Sequence, residues 1–299
     1  MKADSVRTIF YALGANLAIA AAKTGAAVFT GSSAMLAEAI HSYADSGNQG
    51  LLLLGLKRAK RPPSPDYPLG HGKAVFFWSF IVALVLFSLG GLFSIYEGTH
   101  KLAQPEPLSY PWLAVGILVF ALAAEAMSLR ACLIEVNKVR GGRSLWRWFR
   151  ESRQSELVVV LGEDLAALFG LALALVAVLI TILTGDPLWD ALGSIAIGAV
   201  LIVVAIGIAV EIKGLLIGQS ADPETERRLR DFLDRQEDVE HVFRVLTLQL
   251  GGSLMVSIKA HMKGASAEEL VGAINRTEAS LRAAFPEVQW LFFEPDVAD

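Results

Sequence analysis

Glu38, His41 and Asp45 follow one another at intervals of three and four in the stretch AMLAEAIHSYADSGNQGLLLLGL, with Asn48 and Gln49 close behind. Residues so spaced share a face of an α-helix, so the pattern predicts one polar stripe on an otherwise apolar rod. A second polar pair, Glu163 and Asp164, stands in ELVVVLGEDLAALFGLALALVAVLITIL, where the only other ionisable residue is Glu156 at the edge. Ionised carboxylates deep in a bilayer are costly unless paired or bound to metal, so such residues default to a functional reading. The structural alternative is a hydrogen bond between helices or a side chain that reaches out to the interface.

A divalent cation satisfies an imidazole and several carboxylates at once, because His nitrogen and Asp or Glu oxygen are ordinary zinc ligands at about 2.0 to 2.2 Å. His41 and Asp45 offer two ligands from one helix, Asp164 a third, and Glu163 or a water the fourth. Successive helical residues point about 100° apart, so Glu163 and Asp164 straddle one facing direction and cannot both aim along it. Asp164 is therefore the first choice and Glu163 the second. Glu38 is a further candidate on the same stripe.

The elements that must position these groups are membrane helices. The chain has 299 residues, 54% of them hydrophobic and 19% charged, with a mean hydropathy of +0.50. That balance belongs to membrane proteins. Six apolar runs are long enough to cross about 30 Å of hydrocarbon: Ile9 to Phe29, Met35 to Leu56, Val75 to Tyr96, Pro111 to Val136, Leu157 to Thr184 and Leu188 to Leu216. The first lacks a small-residue cleavage site and reads as a retained helix. From Ile217 the character changes abruptly, and ADPETERRLRDFLDRQEDVE opens a predicted soluble domain. The division is thus a transmembrane domain over 1–216 and a C-terminal domain over 217–299.

Lys and Arg gather before the first run, after the second and after the fourth, whereas the opposite loops hold only Lys101. Positive charge stays on the cytoplasmic side, which predicts a multi-pass protein of the cell's inner (plasma) membrane with both termini cytoplasmic. Nothing resembles a nucleic-acid footprint. The single Cys132 excludes disulfides within the chain and a thiolate metal cluster.

The text GSSAMLAEAIHSYADSGNQG, followed by SPDYPLGHGKAVFFWS, the Glu163–Asp164 pair and GDPLWDALGS, resembles the cation diffusion facilitator family. The likeness covers essentially the whole chain and is nearest to the branch that includes zinc transporter nine and its bacterial relatives. It implies six transmembrane helices with a cytoplasmic ferredoxin-like (αββαβ) domain, and a homodimer that exports a divalent metal, zinc first, in exchange for protons. It implies neither a cofactor nor an enzyme. The family's transport site has two residues on the second helix and two spaced by four on the fifth. His41 and Asp45 carry over to the first pair and Asp164 to the second, but the position four residues before Asp164 is Val160, which cannot ligate. Either Glu163 or a water replaces the missing ligand. A set of one imidazole and three oxygens moves preference some way from zinc toward manganese, ferrous iron or cobalt.

His71, with Asp66 nearby, lies where some family members hold a second metal, although the prolines at 62, 63, 65 and 68 explain that loop as a turn without one. Glu125 and Arg130 read as an internal charge pair. Trp146, Trp148 and Phe149, interleaved with Arg, read as interfacial anchors. Gly47, Gly50 and Gly55 are candidates for close helix packing. In the tail, an Asp-Pro helix start, a hairpin about Gly251 and Gly252, a second helix and a last strand give αββαβ. It is expected to dimerise, with metal sites weak or absent at His241 and His261. A membrane metalloprotease is the rival enzyme, but its HExxH motif is missing. A metal-sensing scaffold anchored in the membrane is the rival from a third class.

Overall fold

The structure, a computed structural model, describes residues 5–30, 33–104 and 110–298, without the side chains of 5, 7, 8, 26, 27, 29, 30, 33–41 and 44. Two long helices, α1 (Ser5–Thr30) and α2 (Ser33–Ala59), pack side by side. Then α3 (Ala74–Val85) runs through a π-helical turn, Leu86–Leu92, into α4 (Phe93–Ala103). After it come α5 (Pro111–Val139), a short α6 (Leu145–Glu151), α7 (Ser155–Thr184) and α8 (Leu188–Ile217).

Among the described residues four stretches are long and apolar enough to cross a membrane: Ala74–Ala103, Pro111–Val139, Ser155–Thr184 and Leu188–Ile217. Helices α1 and α2 have the length of a span, and α2 carries the polar stripe that dilutes its apolar character.

The stretch Leu157–Leu161 of α7 is apolar all round and buried all round, with Leu157, Val158, Val159, Val160 and Leu161 at 0–2% exposure. A helix without a polar face can be enclosed on every side. It forms one core with Leu52, Phe76, Ile208 and Ile212. Trp148 of α6 joins that core at 1% exposure, which corrects its reading as an interfacial anchor, whereas Trp146 is exposed and stacks on Phe149. The Ser144 hydroxyl, accepting from the Arg147 amide, starts α6 and so turns Trp148 inward.

Helix contacts through small residues fall only in part where the sequence suggested. A Cβ on Gly47 or Gly50 would meet nothing within 4 Å, and only Gly55 of that trio is crowded, against Trp78. The close approach is between the third span and α8. A Cβ on Gly198 would stand 2.7 Å from the Gly91 carbonyl oxygen, and one on Gly98 would stand 2.8 Å from that of Ala191.

The C-terminal unit is α9 (Pro223–Leu233), β1 (Val239–Leu250), β2 (Ser253–Met262), α10 (Ala267–Ala284) and β3 (Val288–Pro295). Asp222 caps α9 by accepting from the Glu224 and Thr225 amides, and Ser266 caps α10 by accepting from Glu269. The sheet order is β1-β2-β3, antiparallel in the first pair (Leu250↔Ser253) and parallel in the second (Val256↔Leu291). Leu229, Leu233, Ala273 and Leu281 of the helices cover one face through Val256, Ile258 and Leu291. On the open face Leu246 and Phe292 are each more than half exposed. Arg276 grips Asp238 through two hydrogen bonds of 2.9 and 2.6 Å and holds its carboxyl below the ordinary carboxylate range. That clamp is present above the ordinary carboxylate pKa and is lost as pH falls through the lowered one.

The two parts meet at the end of α8. Arg153 Nε donates to the Ser220 carbonyl at 2.7 Å and Nη2 to that of Ala221 at 3.3 Å. Gln249 N–H reaches the Gln219 carbonyl at 3.0 Å from the sheet side. Beside this strap Gly72 of the α2–α3 loop lies against the hairpin turn. A Cβ on Gly72 would be 2.1 Å from the Leu250 carbonyl oxygen, and Gly251 has φ +66° with a virtual Cβ 2.4 Å from the Gly72 oxygen. Gly251→Val is expected to destabilise by at least about 1–2 kcal/mol from the left-handed backbone alone and to loosen the hairpin from the loop. Gly252→Ala, with nothing within 4 Å of the new methyl, is the control. Thermal unfolding of the full chain in detergent and tryptic cleavage rates in the loop about Gly72 check this.

Candidate metal centre

Four helices contribute to one buried polar region. α2 brings Asp45, Asn48 and Gln49, α7 brings Glu163 and Asp164, α5 brings Glu125 and Ser128, and α1 brings Lys23. Helix α1 packs on α2 and α5, and α5 packs on α7, so these faces converge. Asn48 and Gln49 are 2% and 1% exposed, Asp164 3%, Glu125 5% and Lys23 7%.

Asn48 Nδ2 donates to Glu163 Oε1 at 2.9 Å, and Gln49 Nε2 donates to Glu163 Oε2 at 2.9 Å. Two neighbouring amides of α2 thus hold the two oxygens of one carboxylate on α7. Asp164 is held more loosely, its two oxygens sharing the Ser128 hydroxyl at 3.2 Å each. Asp45 lies within electrostatic reach of both Glu125 and Glu163, and Glu125 within reach of Asp164. Lys23 is the cation that acts on Glu125. Gln49 Oε1 is buried without a hydrogen-bond partner.

Of the residues singled out from the sequence, Asp45, Glu163 and Asp164 share this region. The side chains of Glu38 and His41 lie outside the described residues, although α2 places their backbone within two turns of Asp45. Among the described residues no group of three or more His, Cys, Asp or Glu is close enough to hold a metal ion. Val160 is fully enclosed in the apolar core. Cys132 is buried and free.

The Glu125–Arg130 pair is corrected. Five residues on a helix turn through about 140° beyond a full circle, so Arg130 is exposed while Glu125 faces inward toward Lys23. A lysine in the first apolar run was the available signal for this partnership. At the far end of the bundle Lys101 bonds Asp190 at 2.9 Å, joining α4 to α8.

His71 and Asp66 are not brought together around a metal. Asp66 is exposed, in a turn closed by reciprocal backbone bonds between Ser64 and Tyr67. The His71 ring packs on Tyr67 at 4.4 Å, with its buried Nδ1 unpartnered. It lines a cavity of about 520 Å³ with Arg153, Gln154 and Gly251. In the tail His261 pairs with Glu240 at 3.1 Å, and Lys259 with Asp296 at 3.0 Å.

Carboxylates enclosed by helices of membrane length, one of them beside a lysine, define a multi-pass membrane protein built around charge. The chain belongs to the cation efflux family, and residues 9–217 match its description as a cation efflux transmembrane domain. This is a family of transporters rather than enzymes, in which the metal is cargo and no cofactor is carried.

Among its relatives is the human protein named proton-coupled zinc antiporter SLC30A9, mitochondrial, 34% identical over 229 residues, covering 75% of this chain and 40% of the human one. Metal tolerance protein C4 of Arabidopsis thaliana is 31% identical over 241 residues, 80% of this chain and 53% of the plant one. Magnetosome protein MamB of Magnetospira sp. (strain QH-2) is 27% identical over 241 residues, 79% and 75% of the two chains. The chain thus spans about two fifths to half of the human and plant relatives' length.

Replacing Lys23 by Met leaves Glu125 buried with its compensating cation removed, a loss expected to cost about 3 kcal/mol or more. Adding Glu125→Gln is expected to recover part of it. Thermal midpoints of the single and double variants in detergent measure the coupling.

Proposed function

We propose that the protein carries a divalent metal cation out of the cytoplasm in exchange for protons, with zinc as first cargo. The cation rests between α2 and α7 on His41, Asp45 and Asp164, with Glu163 or a water in the fourth place. The single observation behind this reading is Asp164, enclosed to 3% exposure and, among the described residues, hydrogen-bonded only through one shared hydroxyl. A carboxylate kept so dry with so little to satisfy it suits an incoming cation. The proton-coupled zinc antiporter name of the human relative favours the same cargo and exchange.

Six helices cross the membrane in this reading, α1 and α2 adding to the four apolar ones, with a transmembrane domain to about residue 216 and a ferredoxin-like domain after it. The Arg- and Lys-rich loops put both termini and the C-terminal domain in the cytoplasm. The bacterial relatives favour the plasma membrane. Two copies pair through the C-terminal domain, whose open sheet face carries Leu246 and Phe292 more than half exposed.

Exchange follows from the chemistry of the ligands. Imidazole and carboxyl groups take a cation only when deprotonated, so metal entering on one side expels protons and protons entering on the other expel metal. His41 suits this, since imidazole has an ordinary pKa of about 6.5, close to the pH on both sides of a membrane.

Asp45→Ala, Asp164→Ala and His41→Ala are each expected to abolish zinc flux in proteoliposomes while the protein still folds. Parent flux should rise with an imposed pH gradient; flux indifferent to that gradient ends the exchange half of the proposal. Leu246→Glu with Phe292→Glu is expected to shift the detergent-solubilised protein from dimer to monomer, read by light scattering.

A further inference from the structure

We propose that Asn48 and Gln49 withhold Glu163 from the cation and thereby leave one place on it open to water. This rests on the cation site proposed above and chooses between its two alternatives: the protein ligands are His41, Asp45 and Asp164, and the fourth place belongs to water.

The two acidic neighbours on α7 are held differently. Each oxygen of Glu163 accepts its own amide hydrogen bond at 2.9 Å, whereas the oxygens of Asp164 share one hydroxyl at 3.2 Å. Both amides come from consecutive, almost fully enclosed positions of α2. Swinging the Glu163 carboxylate round to the side that Asp164 serves, about 100° away on the helix, would break both bonds. It would also strand two buried amides without an acceptor, which proteins avoid. A water in the fourth place leaves both bonds intact.

The structure also holds a place for that water's proton. Gln49 Oε1 is buried and has no hydrogen-bond partner among the described residues. Gln49 follows Asp45 by four residues, as Asp45 follows His41, so all three share one face of α2. A water on the cation donates to this amide oxygen while Gln49 Nε2 keeps Glu163 tied. One side chain then positions both the excluded carboxylate and the admitted water.

With Glu163 withheld, the cation meets one imidazole, two carboxylates and a water. Releasing Glu163 would put a third carboxylate in place of the water and add a negative charge at the cation, which would tighten the hold on zinc and manganese alike.

The test titrates the purified full chain in detergent with ZnCl₂ and MnCl₂ by calorimetry. Glu163→Gln is expected to keep zinc affinity within about threefold of the parent, well inside the loss that removal of a working ligand or its support brings. The double variant Asn48→Leu/Gln49→Leu is expected to raise affinity for both ions by about tenfold, because the freed carboxylate replaces a water on the cation. A loss of about tenfold or more in zinc affinity on Glu163→Gln overturns the proposal, because Glu163 is then a ligand. Unchanged affinity for both ions in the double variant overturns it too, since the amides are then merely structural. If the double variant does not fold, Gln49→Met carries the same affinity test. Asp164→Asn separates the two levels: undiminished zinc binding there sinks the cation site itself, whereas its loss together with loss in Glu163→Gln sinks only the exclusion of Glu163.

Discussion

A carboxylate inside an apolar bundle has to be answered by something, and the arrangement of α1, α2, α5 and α7 follows from how each one is answered. Glu163 is met by two amides, Glu125 by the charge of Lys23, and Asp164 by a single hydroxyl. The apolar collar of Leu157 to Leu161 closes one end of this region and keeps it from being wetted along the helix. Burial makes every hydrogen bond inside matter more and every unmet group cost more. Among the described residues Asp164 is the least satisfied of the three.

The polar stripe on α2 and the acidic pair on α7 were legible because polar groups at helical spacing stand out in apolar runs. The burial of Asp164 could be read the same way, whereas the missing ligand at Val160 showed only through the family resemblance. What each polar group bonds to was not legible, since partners 115 residues apart in sequence, as Asn48 and Glu163 are, depend on packing that no local pattern encodes. Glu125 shows the difference: its neighbour along the chain was Arg130, but helical phase turned that residue outward and a lysine from α1 took its place.

The tail was more legible than the bundle. An Asp-Pro start, alternating runs and a Gly-Gly turn each carry local physics, and the element order follows from them. Its connection to the bundle was hidden. Arg153 bonding to the carbonyls of Ser220 and Ala221 uses backbone acceptors, which leave no mark in a sequence. Trp148 was misread for a related reason. Aromatic and basic residues side by side suggest a membrane surface, yet a two-turn helix capped by Ser144 is enough to roll one ring into the core while leaving its neighbour outside.

The crossing of the third span with α8 at Gly91 and Gly198 brings backbone onto backbone. Helices normally interlock through ridges of side chains seated in grooves, and those ridges resist turning. Here each missing side chain instead makes room for an isoleucine of the facing rod, Ile202 beside Gly91 and Ile95 beside Gly198, so the two rods are keyed together and any larger residue at either glycine would act as a wedge.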